Sequence, residues 1–234
     1  MSELERNDGV VSTAVRSANP LVRRLSVLDT CAVSDALDRV GIAGVAFGLQ
    51  RLAGSRRFAG RSITVTLRLA EGRTSQRHLC TAAVDMAGAG DVIVVQHHEH
   101  KQAAGWGGIL SFAAKRNGVE GVVIDGMCRD IDEAVDLGLP VVGVGAVPAT
   151  ARGRVVETAF QEPIVVRGIR VQPGDYVLSD RSGVVFVRAT RAEEVIGIAE
   201  SLVTREKAMV EKLRAGEPTS QVMGHAYENM LGRD

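Results

Sequence analysis

The sequence predicts an α/β domain built on a central parallel sheet, with a C-terminal antiparallel β layer and a long C-terminal helix. Three observations carry that reading. From residue 91 onward, short Val/Ile runs alternate with helical patterns of about ten residues, the arrangement of a parallel sheet joined by crossover helices. Between residues 163 and 187, β-type runs are separated by Arg-Gly, Pro-Gly-Asp and Ser-Gly turns, as in an antiparallel set. Residues 191–216 then keep apolar side chains on one side of a single long helix.

The elements follow in order. "LDTCAVSDALDRVG" (28–41) places Val33, Leu37 and Val40 at helical spacing and ends on Gly41, so a short helix is expected. "SITVTLRL" (62–69) alternates Ile63, Val65, Leu67 and Leu69 with other residues, the period of a half-buried strand. Next come a strand at "DVIVV" (91–95), a helix at 107–118, a strand at "GVVID" (121–125), a helix at 129–138 and a strand at "PVVGVG" (140–145). Helices and strands of this kind imply a parallel sheet covered on both faces. In the final helix Val195, Ile198, Leu202, Met209 and Leu213 share a side, and Gly216 is placed to cap it. No internal repeat or linker divides the chain, so residues 1–234 read as one domain with its core at about 28–216. The tail, 217–234, is polar with a few anchors and is expected to wrap a neighbouring subunit.

Composition narrows the partners. Lys plus Arg and Asp plus Glu are equal at 28 each, so no global field favours nucleic acid or an anionic membrane. Aromatic residues make up 3% of the chain, too few for base-stacking platforms. Cys31, Cys80 and Cys128 are odd in number and far apart, which suggests neither disulfides nor a cysteine zinc site and fits a reducing cytoplasm. No apolar run approaches the roughly 20 residues that span a bilayer. The expectation is a cytoplasmic protein with no nucleic-acid or membrane partner.

Ligands of parallel α/β sheets bind beyond the carboxyl ends of the strands, here the loops after Val95, Asp125 and Gly145. In the second loop Asp125, Arg129, Asp130, Asp132 and Glu133 gather at a strand-to-helix junction. Two readings of Asp130 stand open: a helix cap, or a carboxylate holding a hard cation beside an arginine that binds an oxyanion. Asp132 and Glu133 read as a solvated first turn. In the first loop "GWGGIL" sets consecutive amides at a helix N-terminus, an anion cradle lacking the Walker or dinucleotide spacing. The same loop carries His97, His98, Glu99 and His100. Adjacent residues rarely share one tetrahedral ion without i, i+4 spacing, so zinc is disfavoured. His78 and His225 have no chemical neighbours in sequence and read as structural or surface residues.

Gly108, twenty residues, Arg129-Asp130, two residues and then Glu133 form a motif that resembles the signature of the RraA-like family. That family includes the divalent-metal-dependent class II pyruvate aldolases acting on 4-hydroxy-4-methyl-2-oxoglutarate and 4-carboxy-4-hydroxy-2-oxoadipate. "VSDALDRVG", "GVVIDG", "LPVVGVG" and "PGDYVLSDRSGVVFV" also resemble family segments in family order, and the likeness runs over roughly 28–216. The resemblance implies an RraA-like layered fold in which Asp130 ligates Mg²⁺ or Mn²⁺ and Arg129 holds the oxygen that becomes an enolate. Amides of Gly107, Gly108, Ile109 and Leu110 would seat the carboxylate of a small 2-oxo acid. The implied reactions are retro-aldol cleavage of a 4-hydroxy-2-oxo dicarboxylate to pyruvate and decarboxylation of oxaloacetate. Family assemblies are trimers or dimers of trimers (hexamers) in which an acid from the neighbouring subunit reaches the metal waters; Glu206 is the candidate here. One departure stands out: the residue after the signature glycine is acidic in the aldolases and is Ile109 in this chain. Two readings of His98, Glu99 and His100 then stand open: a solvent-facing loop, or a group that reaches the pocket as a substitute acid or base. The alternative is a non-catalytic regulator, since RraA binds an RNA-degrading enzyme and inhibits it.

Overall fold

The computed structural model describes residues 19–75, 78–97 and 102–224. In chain order these form α1 (Pro20–Ser26), α2 (Thr30–Arg39), β1 (Gln50–Ala53), β2 (Phe58–Leu69), α3 (Thr81–Met86), β3 (Asp91–Gln96) and β4 (Ala104–Trp106). Then follow α4 (Gly108–Arg116), β5 (Gly121–Asp125), β6 (Met127–Cys128), α5 (Ile131–Asp136), β7 (Val141–Gly143), β8 (Gly145–Ala146) and β9 (Val155–Phe160). The chain closes with β10 (Ile164–Val166), β11 (Ile169–Val171), β12 (Tyr176–Ser179), β13 (Val184–Val187), α6 (Ala192–Arg214) and α7 (Thr219–Val222).

The main sheet runs β1-β7-β5-β3-β2-β12-β13. Its centre, β7-β5-β3-β2, is parallel, as the Val/Ile runs predict, while β1 and β12–β13 join it antiparallel. Strand β2 is long enough to take two partners on one edge: β12 pairs with residues 58–61 and β9 with residues 65–69. The sheet curls there. The four C-terminal strands therefore divide, β12–β13 extending the main sheet and β10–β11 forming a separate hairpin.

Strand alternation decides what covers each face. Ile93 and Val95 of β3, with Val122 and Ile124 of β5, pack beneath α3, α4 and α5. Val92, Val94 and Val123 point the other way, and Ile164, Val166 and Val171 of the hairpin cover them. Both faces are buried, but a hairpin rather than helices closes the second. Each of these side chains is almost fully buried, a contribution of about 2 kcal/mol apiece from apolar burial. A third cluster packs α1, α2 and the first half of α6 over β12–β13. Beyond Leu202 no residue of α6 is buried.

The carboxyl edge of the sheet carries a feature that has no periodic signal. After β3, β5 and β7 come β4, β6 and β8, and these pair in parallel as a second small sheet. The three loops expected to neighbour one another are thus held side by side by backbone hydrogen bonds.

Candidate active site

The small sheet places the starts of α4 and α5 against each other. Arg129 N donates to Trp106 O at 3.0 Å, so the residues preceding the two helices are joined. Trp106 is buried, and its indole N–H donates to Ser111 Oγ at 2.9 Å while that hydroxyl donates to Gly107 O at 3.0 Å. This clasp holds the first turn of α4.

Asp130 occupies the N-cap position of α5 in a left-handed conformation, φ 55° and ψ 43°. Asp is one of the few side chains that tolerates this region. The turn rotates its carboxylate away from α5, where it makes no capping bond. Oδ2 instead accepts from Gly108 N at 3.0 Å and lies 3.2 Å from Arg129 Nε. Of the two readings left open, capping of its own helix does not hold: Asp130 satisfies an orphan donor of the neighbouring helix α4 instead. Its Oδ1 has no protein partner among the described residues.

The glycines of the motif have a steric cause. A Cβ on Gly107 would lie 2.9 Å from Asp130 Oδ2 and 3.2 Å from Arg129 Nε. A Cβ on Gly108 would lie 1.7 Å from Glu133 Oε2, because that carboxylate sits directly over the bare Cα. Glu133, read above as part of a solvated turn, is exposed yet packed on the first turn of α4. The Ile109 and Leu110 amides have no protein acceptor among the described residues, so the helix start keeps two donors beside the cavity.

The cavity itself holds about 120 Å³, a volume suited to a ligand of pyruvate size. All three loops line it: Gly105 to Leu110 from the first, Arg129 and Asp130 from the second, Thr150 and Arg152 from the third. His78 lines it too, which sequence neighbours gave no reason to expect. Ile109 stands at its mouth with 87% of its surface exposed.

Other candidates fall elsewhere. His97 is buried, its Nε2 2.8 Å from Ala103 O, and its ring is pressed by Gly105 and Gly126, where an added Cβ would come within 2.8 and 2.5 Å of Cδ2. It is a packing residue. His98, Glu99, His100 and His225 lie outside the described residues. Asp125 does not join the cavity; its Oδ2 accepts from Arg167 N at 2.9 Å and pins the β10–β11 hairpin on the opposite face. Glu206 is on α6, away from the cavity of its own chain. Burial first, then the Asp29 and Asp35 carboxylates, push its carboxyl above the ordinary range. Burial, followed by Asp38 and Asp29, does the same to Asp35. Among the described residues no three His, Cys, Asp or Glu side chains converge, so a cation here would have one carboxylate from this chain and water for most of its shell.

A family model described as "RraA-like: Aldolase/RraA" matches residues 30–186. The chain belongs to the RraA-like family. RraA-like relatives carry names of both kinds that the sequence raised. A Burkholderia mallei protein named "Putative 4-hydroxy-4-methyl-2-oxoglutarate aldolase" is 37% identical over 134 residues, covering 56% of this chain and 76% of that protein. Protein DlpA of Legionella pneumophila is 25% identical over 209 residues, 89% of this chain; the chain spans 34% of DlpA's length. The crystal structure of Streptomyces coelicolor RraAS2, described as an unusual member of the RNase ES inhibitor RraA protein family, superposes with a TM-score of 0.73 at 26% identity. That match covers 88% of this chain and 98% of RraAS2. No helix among the described residues is long and apolar enough to cross a membrane.

Proposed function

We propose that this chain is a divalent-metal-dependent carbon–carbon lyase, cleaving a 4-hydroxy-2-oxo dicarboxylate to pyruvate, decarboxylating oxaloacetate, or both. The observation that carries the reading is the Asp130 carboxylate, turned out of its own helix into a small cavity beside Arg129. One carboxylate among waters suits Mg²⁺ or Mn²⁺, hard cations that keep much of their hydration shell. The ion would supply Lewis acidity toward the oxygens of a 2-oxo acid. In this reading the Arg129 guanidinium holds the 2-oxo oxygen as negative charge develops on it, and the Ile109 and Leu110 amides receive the C1 carboxylate. Gly107 and Gly108 let these groups approach. Glu206 is the acid a neighbouring subunit would bring to the metal waters, with Asp35 beside it, in a homotrimer or a dimer of trimers. The partner set is a small 2-oxo acid and further copies of this chain, without nucleic acid or membrane, in the cytoplasm.

The test is pyruvate release from a 4-hydroxy-2-oxo dicarboxylate and from oxaloacetate with Mg²⁺, above the rate of the metal alone. Turnover that disappears in Asp130→Asn is expected; folded protein that turns over neither substrate overturns the reading. A second reading is favoured by Ile109, whose exposed side chain offers an apolar contact where the aldolases have an acid. It makes the chain a regulator that binds an RNA-degrading enzyme, as the RraA likeness suggests. Capture of such an enzyme without added metal, unaffected by Asp130→Asn, selects it.

A further inference from the structure

The lyase reading leaves a vacant duty. An isoleucine at position 109 can neither take nor give a proton, yet cleavage requires a base at the substrate's C4 hydroxyl and an acid at C3. Among the described residues, four side chains that line the cavity are ionisable: His78, Arg129, Asp130 and Arg152. A guanidinium group offers donors and no acceptor, so neither arginine can act as the base. Asp130 accepts from Gly108 N and pairs with Arg129, and in the lyase reading it also holds the cation. Among the described residues His78 is what remains, and an imidazole ring carries both a donor and an acceptor nitrogen.

Its surroundings fit the task. The His78 carbonyl accepts from Thr81 Oγ1 at 2.8 Å, and Cys80 N donates to Glu157 Oε2 at 2.7 Å, so the backbone is anchored where the chain enters α3. The His78 ring has no protein partner among the described residues. It also lines both the Asp130 cavity and an adjoining one that reaches Arg73 and Thr74, so its ring stands where the two open into each other.

We infer that His78 carries the proton in this chain's lyase reaction, an inference that rests on the lyase reading. A ring nitrogen of His78 takes the C4 hydroxyl proton; the C4–O electrons form the carbonyl as the C3–C4 bond breaks. The released pair enters the C2–C3 enolate held by Arg129, and the imidazolium returns its proton to C3, giving pyruvate. No oxidant or reductant is needed, and no atom is unaccounted for.

The test isolates the proton step. Wild-type protein with Mg²⁺ in D₂O should exchange the methyl hydrogens of pyruvate, read by proton NMR. His78→Asn and His78→Gln should each lose about 100-fold in exchange while oxalate affinity stays within about threefold, and added free imidazole should recover part of the rate. Exchange at the wild-type rate in either variant, or a loss that imidazole does not recover, overturns the role of His78 and leaves the lyase reading standing. Wild-type protein that neither exchanges pyruvate nor cleaves any substrate overturns both.

Discussion

Asp125 and Asp130 sit five positions apart at the same edge of the sheet, and the fold treats them in opposite ways. Asp125, at the end of β5, is 3% exposed, accepts the Arg167 amide and faces the Arg167 guanidinium at 3.5 Å. Asp130, after β6, keeps 35% of its side chain exposed, with one oxygen clear of protein partners. One carboxylate is spent holding a hairpin; the other is held by its neighbours and left open to a ligand. Acidic residues crowded into one loop are therefore not one site. The direction each strand end faces divides them between architecture and chemistry.

The sharpest way to break this contrast is Asp130→Asn. Asn also tolerates the left-handed backbone, and its amide oxygen can accept from Gly108, so the melting temperature should move by no more than about 2 °C. Lewis-acid assistance is worth several kcal/mol, so metal-dependent pyruvate release should fall by about 1000-fold, together with Mn²⁺ affinity. A variant that keeps its rate would show that the open carboxylate is not the metal seat. Arg129→Lys comes next. A point charge cannot reproduce the planar fork that faces both Asp130 and an enolate oxygen, and a loss of about 100-fold in kcat with little change in stability is expected.

The converse prediction concerns Asp125. Asp125→Asn removes a buried charge from its partner and should cost about 2 kcal/mol in urea unfolding, while activity per folded molecule is kept. Loss of activity without loss of stability would reverse the division of labour. The smallest effect lies between α2 and α6. Glu206 and Asp35 have raised carboxyl pKa values, so the native state holds their protons more tightly than the unfolded chain does. Their contribution is favourable at low pH and is lost as pH rises through the raised values, leaving a penalty at neutrality. Asp180 and Glu200 behave oppositely. Their lowered pKa values mark stability present above the usual carboxylate range and lost as pH falls through the lowered ones. Glu206→Gln should therefore raise neutral-pH stability by about 0.3 kcal/mol, the scale of a relieved like-charge contact, and lower activity only if a second copy needs that acid.

Much of this was legible before the structure. Val/Ile runs bounded by turn residues located the parallel core and the C-terminal strands, and α6 spans several repeats of the helical period. The motif singled out Gly108, Arg129, Asp130 and Glu133, but not why a glycine must stand there; the Glu133 carboxylate over its Cα is a contact between two helices. Strands β4, β6 and β8 have two or three residues each, too few for any period, and so were invisible. No motif marks His78 in sequence, because its chemical neighbours come from the loops after β6 and β8. Asp125 was grouped with Asp130 because a strand's end does not reveal in sequence which face its last side chain takes.

The ribbon of β4, β6 and β8 has a consequence for how this scaffold can change. Main-chain bonds, which are indifferent to side-chain identity, set the spacing of the three loops. Replacements at a rim position such as Ile109 can then alter what the cavity does without loosening its frame, so enzymes and non-enzymes can diverge on one backbone by small steps.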